Sequence, residues 1–322
     1  YNSGSLLAQG VRLFGNLSAS AGGAVFNTSA GDATLDASVV TQNQAFDGGG
    51  VYNNDNAIFT IRNSEVNENI SGNDGGGVYN DLDGEVVLTN SDVIGNAAVG
   101  QGGGIYNNDA ADLTVKNSRF SVNTSEDGAG LFNELAGDVA IDNTTFTANI
   151  ASGDGGAIYN DDGNVSSGRT IYSSNTAAST GGAIYNTSNG DVTLLSDTLT
   201  LNSAPVRGGA INNYGLLTIS NAGVTHNTSR DGGAIATARN LDMANSVVSY
   251  NDATNDGGGV YNDESGVVVT TETNFIGNTA GDDGGAFSNV DSGVVSIEFS
   301  SMTENVATGD GGGVHNTSAS GL

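Results

Sequence analysis

A right-handed parallel β-helix, all-β and built of about twelve coils, is the fold class this sequence predicts. Three observations carry it: a glycine-rich string that returns twelve times, a second motif keeping the same period, and an alternating run between them. The string is of the type Gly-Gly-(Ala/Gly)-apolar-aromatic-Asn. It begins at Gly22, Gly48, Gly75, Gly102, Gly128, Gly155, Gly181, Gly208, Gly232, Gly257, Gly284 and Gly311, with Ala129 standing in the second place of one copy. Successive starts lie 24 to 27 residues apart. That regularity belongs to solenoid coils, in which each unit buries its apolar face against its neighbours.

Within the string, each place implies a direction. The fourth place is apolar throughout, as at Val51, Val78, Ile105, Leu131 and Ile158, and must face a core. The fifth is mostly Tyr or Phe but accepts Asn212, Ala236, Ser288 and His315, as an outward position can. The column Tyr52, Tyr79, Tyr106, Phe132, Tyr159 and Tyr185 is therefore expected outside, as a continuous stripe whose stacked rings stabilise the rod, with an apolar strip offered to a partner as the further reading. The sixth place returns inward and is Asn everywhere except Thr237. Stacked asparagines bond their amides from coil to coil, so Asn53, Asn80, Asn107, Asn133, Asn160 and Asn186 are expected to form a structural ladder. The leading glycines supply a turn at positive φ, and the restriction of the third place to Ala or Gly suggests a crowded corner.

The alternating run follows, as in Ile58-Phe59-Thr60-Ile61 and Val86-Val87-Leu88-Thr89, and reads as a second strand. The third element pairs an apolar residue with Asn three places on, as in Val40/Asn43, Val93/Asn96, Leu199/Asn202 and Phe275/Asn278. Three short strands per coil of 24 to 27 residues result. Gly-Gly in every period and the wealth of Val, Ile and Thr argue against a helical solenoid.

The unbroken repeat predicts one domain over residues 1–322. Fifty glycines with a single proline, Pro205, exclude collagen. Eight basic residues against 36 acidic ones leave a formal charge of −28, which disfavours nucleic acid as a partner. There is no cysteine, hence no disulfide or thiolate metal site, and no apolar run approaches the ~18 residues of a membrane span. The register is cut mid-period at Tyr1 and at Leu322, which predicts a window from a longer polypeptide.

Two tetrads carry a family resemblance. Gly155-Gly156-Ala157-Ile158, Gly181-Gly182-Ala183-Ile184 and Gly208-Gly209-Ala210-Ile211 are one; Phe120 to Asn123, Phe146 to Asn149 and Phe275 to Asn278 are the other. Together they resemble the repeat signature of the chlamydial polymorphic outer membrane proteins. The resemblance spans essentially the whole chain and implies an exported β-helical autotransporter passenger, displayed on a cell surface and acting in adhesion. It supplies no catalytic residue.

Any catalytic chemistry would rest on the titratable residues. A β-helical lyase needs a base beside bound uronate, and only Lys116 and Arg119 among the basic residues lie close in sequence, on an ordinary strand and turn. Hydrolysis needs two carboxylates across a cleft, whereas Asp161/Asp162 and Asp282/Asp283 sit in repetitive turns. Periods shorten only between Gly208 and Gly257, where His226 lies. The acids do form one pattern: aspartate precedes the glycine pair at Asp47, Asp74, Asp127, Asp154, Asp231, Asp256, Asp283 and Asp310. Stacked at a coil spacing of ~4.8 Å, such charges repel by about 0.9 kcal/mol per neighbour even in bulk water. The consecutive four, Asp231, Asp256, Asp283 and Asp310, are the candidate ligands of a hard cation such as Ca2+, with solvated turn residues as the plainer reading.

The expectation is a non-enzymatic extracellular or cell-surface rod or fibre, with no cofactor required and no catalytic residue. Two other readings stay open: a filament subunit that self-associates end to end or along the rod, and a β-helix that binds or degrades polysaccharide. A host surface or a polysaccharide is the expected kind of ligand.

Overall fold

The computed structural model describes residues 1–317, and among them it contains only strands and turns. Parallel sheets stack as a β-solenoid of about twelve turns, with about 27 residues in each. The chain divides into two compact units, Tyr1–Ser152 with Gly156–Ser166, and Gly153–Gly155 with Ser167–Leu322.

One turn of the first unit shows the plan. Val51–Asn53 comes from the glycine string, Ile58–Arg62 from the alternating run and Glu65–Asn67 from the apolar-x-x-Asn element. A fourth strand of two residues, Ile70–Ser71, closes the turn. Each pairs in parallel with its counterpart one turn on, so that Val51 lies opposite Val78, Phe59 opposite Val86 and Val66 opposite Val93. In the second unit Val260–Asn262, Val267–Thr271, Asn274–Ile276 and Thr279–Ala280 repeat the plan, in register with the turn that follows. The three expected strands are present, and the fourth adds to them. Two residues are too few to show a period in sequence.

Single left-handed residues make the corners. Asn63, Glu68 and Gly75 take φ values of 51°, 53° and 66° in one circuit, and Asp55 and Asn56 form a paired corner at 60° and 56°. At the leading glycine a side chain is barred outright: a Cβ on Gly48 would stand 2.4 Å from the Val51 carbonyl oxygen. The third place is the crowded corner the sequence suggests. A Cβ on Gly104 would lie 2.4 Å from the Gly130 carbonyl of the next turn, while Ala157, Ala183 and Ala210 fit there fully buried.

Inward columns of Val51, Phe59, Ile61 and Val66 and their counterparts fill the core, and these four are completely shielded from water. Burying each such side chain contributes roughly 1.5–3 kcal/mol. The aromatic column points away from this core, on the opposite side of its strand from Val51 and Asn53. It is the stacked stripe expected, though closed rather than an open strip. Rings from Phe26 to Tyr159 lie with centroids 4.6 to 5.4 Å apart, so each covers the next, and Tyr79, Tyr106 and Phe132 are buried in a cluster of their own. In the second unit Asn212 and Ala236 interrupt the column. Arg207 reaches across that gap, 5.5 Å over the Tyr261 ring and 2.8 Å from Asp263.

Candidate functional site

Polar side chains of this protein are spent first on one another. Asn53 Nδ2 donates to Asn80 Oδ1 at 2.8 Å, Asn80 to Asn107 at 2.8 Å, Asn107 to Asn133 and Asn133 to Asn160, each at 2.9 Å. Each also donates to a local carbonyl, as Asn53 does to Ala57. In the second unit Asn186 donates to Asn213 at 2.8 Å and Asn213 to the Thr237 hydroxyl at 3.1 Å. There the ladder is broken, to resume where Asn262 donates to Asn289 at 2.7 Å. Thr237 gives its hydroxyl proton to the Arg239 carbonyl, and the buried Asn262 Oδ1 is left without a donor.

A second asparagine column runs through the apolar-x-x-Asn elements. Asn69 sends both its backbone N–H and its amide to Asn96 Oδ1 at 3.0 Å and a second amide bond to the Val40 carbonyl. Asn202, Asn227 and Asn251 repeat this in the second unit. A third column of hydroxyls, overlooked in the sequence, lies one corner earlier. Ser64 Oγ accepts the Ser38 N–H at 3.0 Å, Ser91 Oγ that of Ser64 at 3.1 Å and Ser118 Oγ that of Ser91 at 3.2 Å. The recurring Asn-Ser pairs at Asn63-Ser64, Asn90-Ser91 and Asn117-Ser118 were its signal.

The acidic edge beside the glycine turns is the candidate for ligand chemistry. Its carboxylates accept backbone amides from the turn above: Asp74 from Gln101 at 2.6 Å, Asp154 from Thr180 at 2.8 Å, Asp256 from Asp283 at 3.0 Å and Asp283 from Asp310 at 2.6 Å. Neutral amides sit between neighbouring acids. Asn73 donates to Asp47 and Asp74, both at 2.9 Å, and Asn255 donates to Asp231 at 2.8 Å and Asp256 at 3.1 Å. These donors offset part of the repulsion that the sequence implies.

Of the four candidate cation ligands, the structure brings Asp256 and Asp283 together and adds Asp282; one carboxylate oxygen from each lies within 4.8 Å of the others. Three oxygens so placed are the donor type a hard cation takes. Asp231 is nearly buried and engaged by the Arg230 guanidinium at 2.8 Å, and Asp310 contributes its backbone N–H to Asp283. Burial pushes the Asp256 carboxyl above its ordinary range; the Asp283 N–H opposes this, and the charges of Asp231, Asp282 and Asp283 add to it. Asp74 is raised likewise, by burial first, with the Gln101 N–H opposing and Asp47, Glu134 and Glu126 adding.

A surface groove of about 620 Å3 crosses the first unit, with Glu65, Asp92 and Arg119 along it. Arg119 holds Asp92 by two bonds, at 3.2 and 2.9 Å, and this pairing raises its pKa still further. A guanidinium so bound cannot abstract a proton. Arg62 is likewise paired with Asp36.

A β-solenoid repeat protein, its turns tied by side-chain ladders, is the class these features define. Residues 143–161 match the family model described as the Chlamydia polymorphic membrane protein repeat. That stretch holds Phe146 to Asn149 and Gly155 to Ile158, both tetrads of the resemblance. No curated protein matches the chain. Over that stretch the β-solenoid is thus similar to the repeat of that family.

Proposed function

We propose that this chain is a non-enzymatic structural segment of a cell-surface or extracellular protein, a spacer of the adhesin-stalk kind. The observation that carries the reading is the use of its polar residues: asparagines and serines that could line a catalytic cleft are instead buried in ladders tying turn to turn. The repeat match at residues 143–161 supports a surface setting. Among the described residues no helix is long and apolar enough to cross a membrane. Rigidity is what such ladders provide, and a surface protein uses rigidity to hold a binding element away from the cell.

The test is surface labelling of intact cells that express the protein, with an impermeant amine- or carboxyl-reactive reagent, followed by protease shaving. Labelling and release of solenoid fragments from intact cells are expected. Labelling only after lysis would overturn the reading.

A further inference from the structure

The second unit departs from its own rhythm where the periods shorten to 24 and 25 residues, and these turns, which hold His226 and Tyr250, carry with the turn before them an unusual surface. Leu201, His226 and Tyr250 occupy one corner of three successive turns, each left-handed, at φ values of 58°, 55° and 54°. Gly15, Gly95 and Gly277 fill the equivalent corner elsewhere, but so do Gln42, Glu68, Val122, Ala148 and Ser174, all left-handed. What sets this stretch apart is the placing of aromatic rings, His226 and Tyr250, at that corner on adjacent turns. Packing in the core does not explain them, since Leu201 is 59% and Tyr250 53% exposed.

The His226 and Tyr250 rings stack on each other, centroids 5.4 Å apart and 28° from parallel. Tyr250 also lies against Gly277, where a Cβ would stand 2.7 Å from the ring. Two residues after Leu201 and His226 the chain presents hydroxyls, and Thr228 Oγ1 donates to Ser203 Oγ at 3.1 Å in an exposed pair; after Tyr250 the same place holds Asp252. Beyond them is a shallow depression of about 290 Å3, lined by Ser203, Pro205, Thr228, Arg230 and Thr254. The fourth strand is reduced here. Ser203 makes only isolated bridges, and Pro205 has no N–H to continue the ladder.

We propose that this corner is a carbohydrate-binding site for a neutral glycan. An aromatic platform next to a hydroxyl-lined hollow fits the two sides of a sugar ring, an apolar C–H face and a hydroxylated rim. Two rings make too small an apolar patch to seat a protein partner. The charge of −28 repels sulfated or uronate-rich polymers, which selects neutral chains. The assignment deepens the surface reading and rests on it only for access to ligand. Its test uses purified protein, so its failure leaves the labelling experiment to judge surface location separately.

The full 322-residue chain is applied to an array of neutral and sulfated oligosaccharides, and affinity for the strongest neutral binder is then measured for variants. Tyr250→Gly relieves the positive φ and preserves the fold, as an unchanged or raised melting temperature verifies. It should lower affinity at least ten-fold. His226→Gly should weaken binding too, while Tyr250→Phe and the equivalent corner change Val122→Gly in the first unit leave it intact. Absence of neutral-glycan binding, preference for sulfated chains, or equal affinity in Tyr250→Gly would each overturn the proposal.

Discussion

Asn107 shows what one residue does in this protein. Fully buried, it accepts from Asn80, donates to Asn133 and donates again to the Ala111 carbonyl at 2.7 Å. Truncation leaves two buried neighbours short of a partner, so Asn107→Ala should cost about 1–3 kcal/mol, read as a shift in the denaturant midpoint. Thr237 makes the converse case. Its single hydroxyl proton goes to the local carbonyl, and Asn262 Oδ1 has no donor. Asn213, in an equally short connection, manages both the local carbonyl and the link to the next turn. Thr237→Asn is therefore expected to stabilise by about 1 kcal/mol. A loss of stability would show that the short connection cannot hold the larger amide.

At the scale of the element, the acidic edge couples stability to pH. Asp74 and Asp256 have pKa values raised above the ordinary 3.8, so the folded state binds protons more tightly than the unfolded chain in the window between 3.8 and the raised value. Ionisation of these groups costs stability. That cost is fully present above the folded pKa and is relieved as pH falls through it. Acidification from neutral pH toward 3.8 should accordingly raise the melting temperature, and Asp256→Asn should remove part of the rise. A steady fall in melting temperature over that range would contradict the assignment. The aromatic column belongs to the same scale. Its outward direction followed from alternation, but its burial did not, because ring stacks and the acids above them, such as Asp81 2.9 Å from the Tyr52 hydroxyl, shield it.

For the whole molecule the governing quantity is the charge of −28, borne by a chain with few cations to neutralise it. Self-repulsion is screened by salt. Raising sodium chloride from about 10 to about 150 mM shrinks the Debye length from ~30 to ~8 Å and should raise the melting temperature. Equal effects of calcium and sodium at matched ionic strength would assign the gain to screening alone. An added calcium response, lost when Asp256, Asp282 and Asp283 become Asn, would assign it to ligation. The repeat made the solenoid, its strand order and the inward asparagine column legible in the sequence, since a period of 24 to 27 residues with alternating apolar places has few other solutions. Contacts between turns were not legible: the hydroxyl ladder, the amide bridges of Asn73 and Asn255, the meeting of Asp282 with Asp256 and Asp283, and the stacked corner of His226 and Tyr250. Each depends on which residues of different turns come within about 3 to 5 Å. One chain's sequence states the period that stacks the turns, while the side-chain directions that close those distances are set only once the corners are folded.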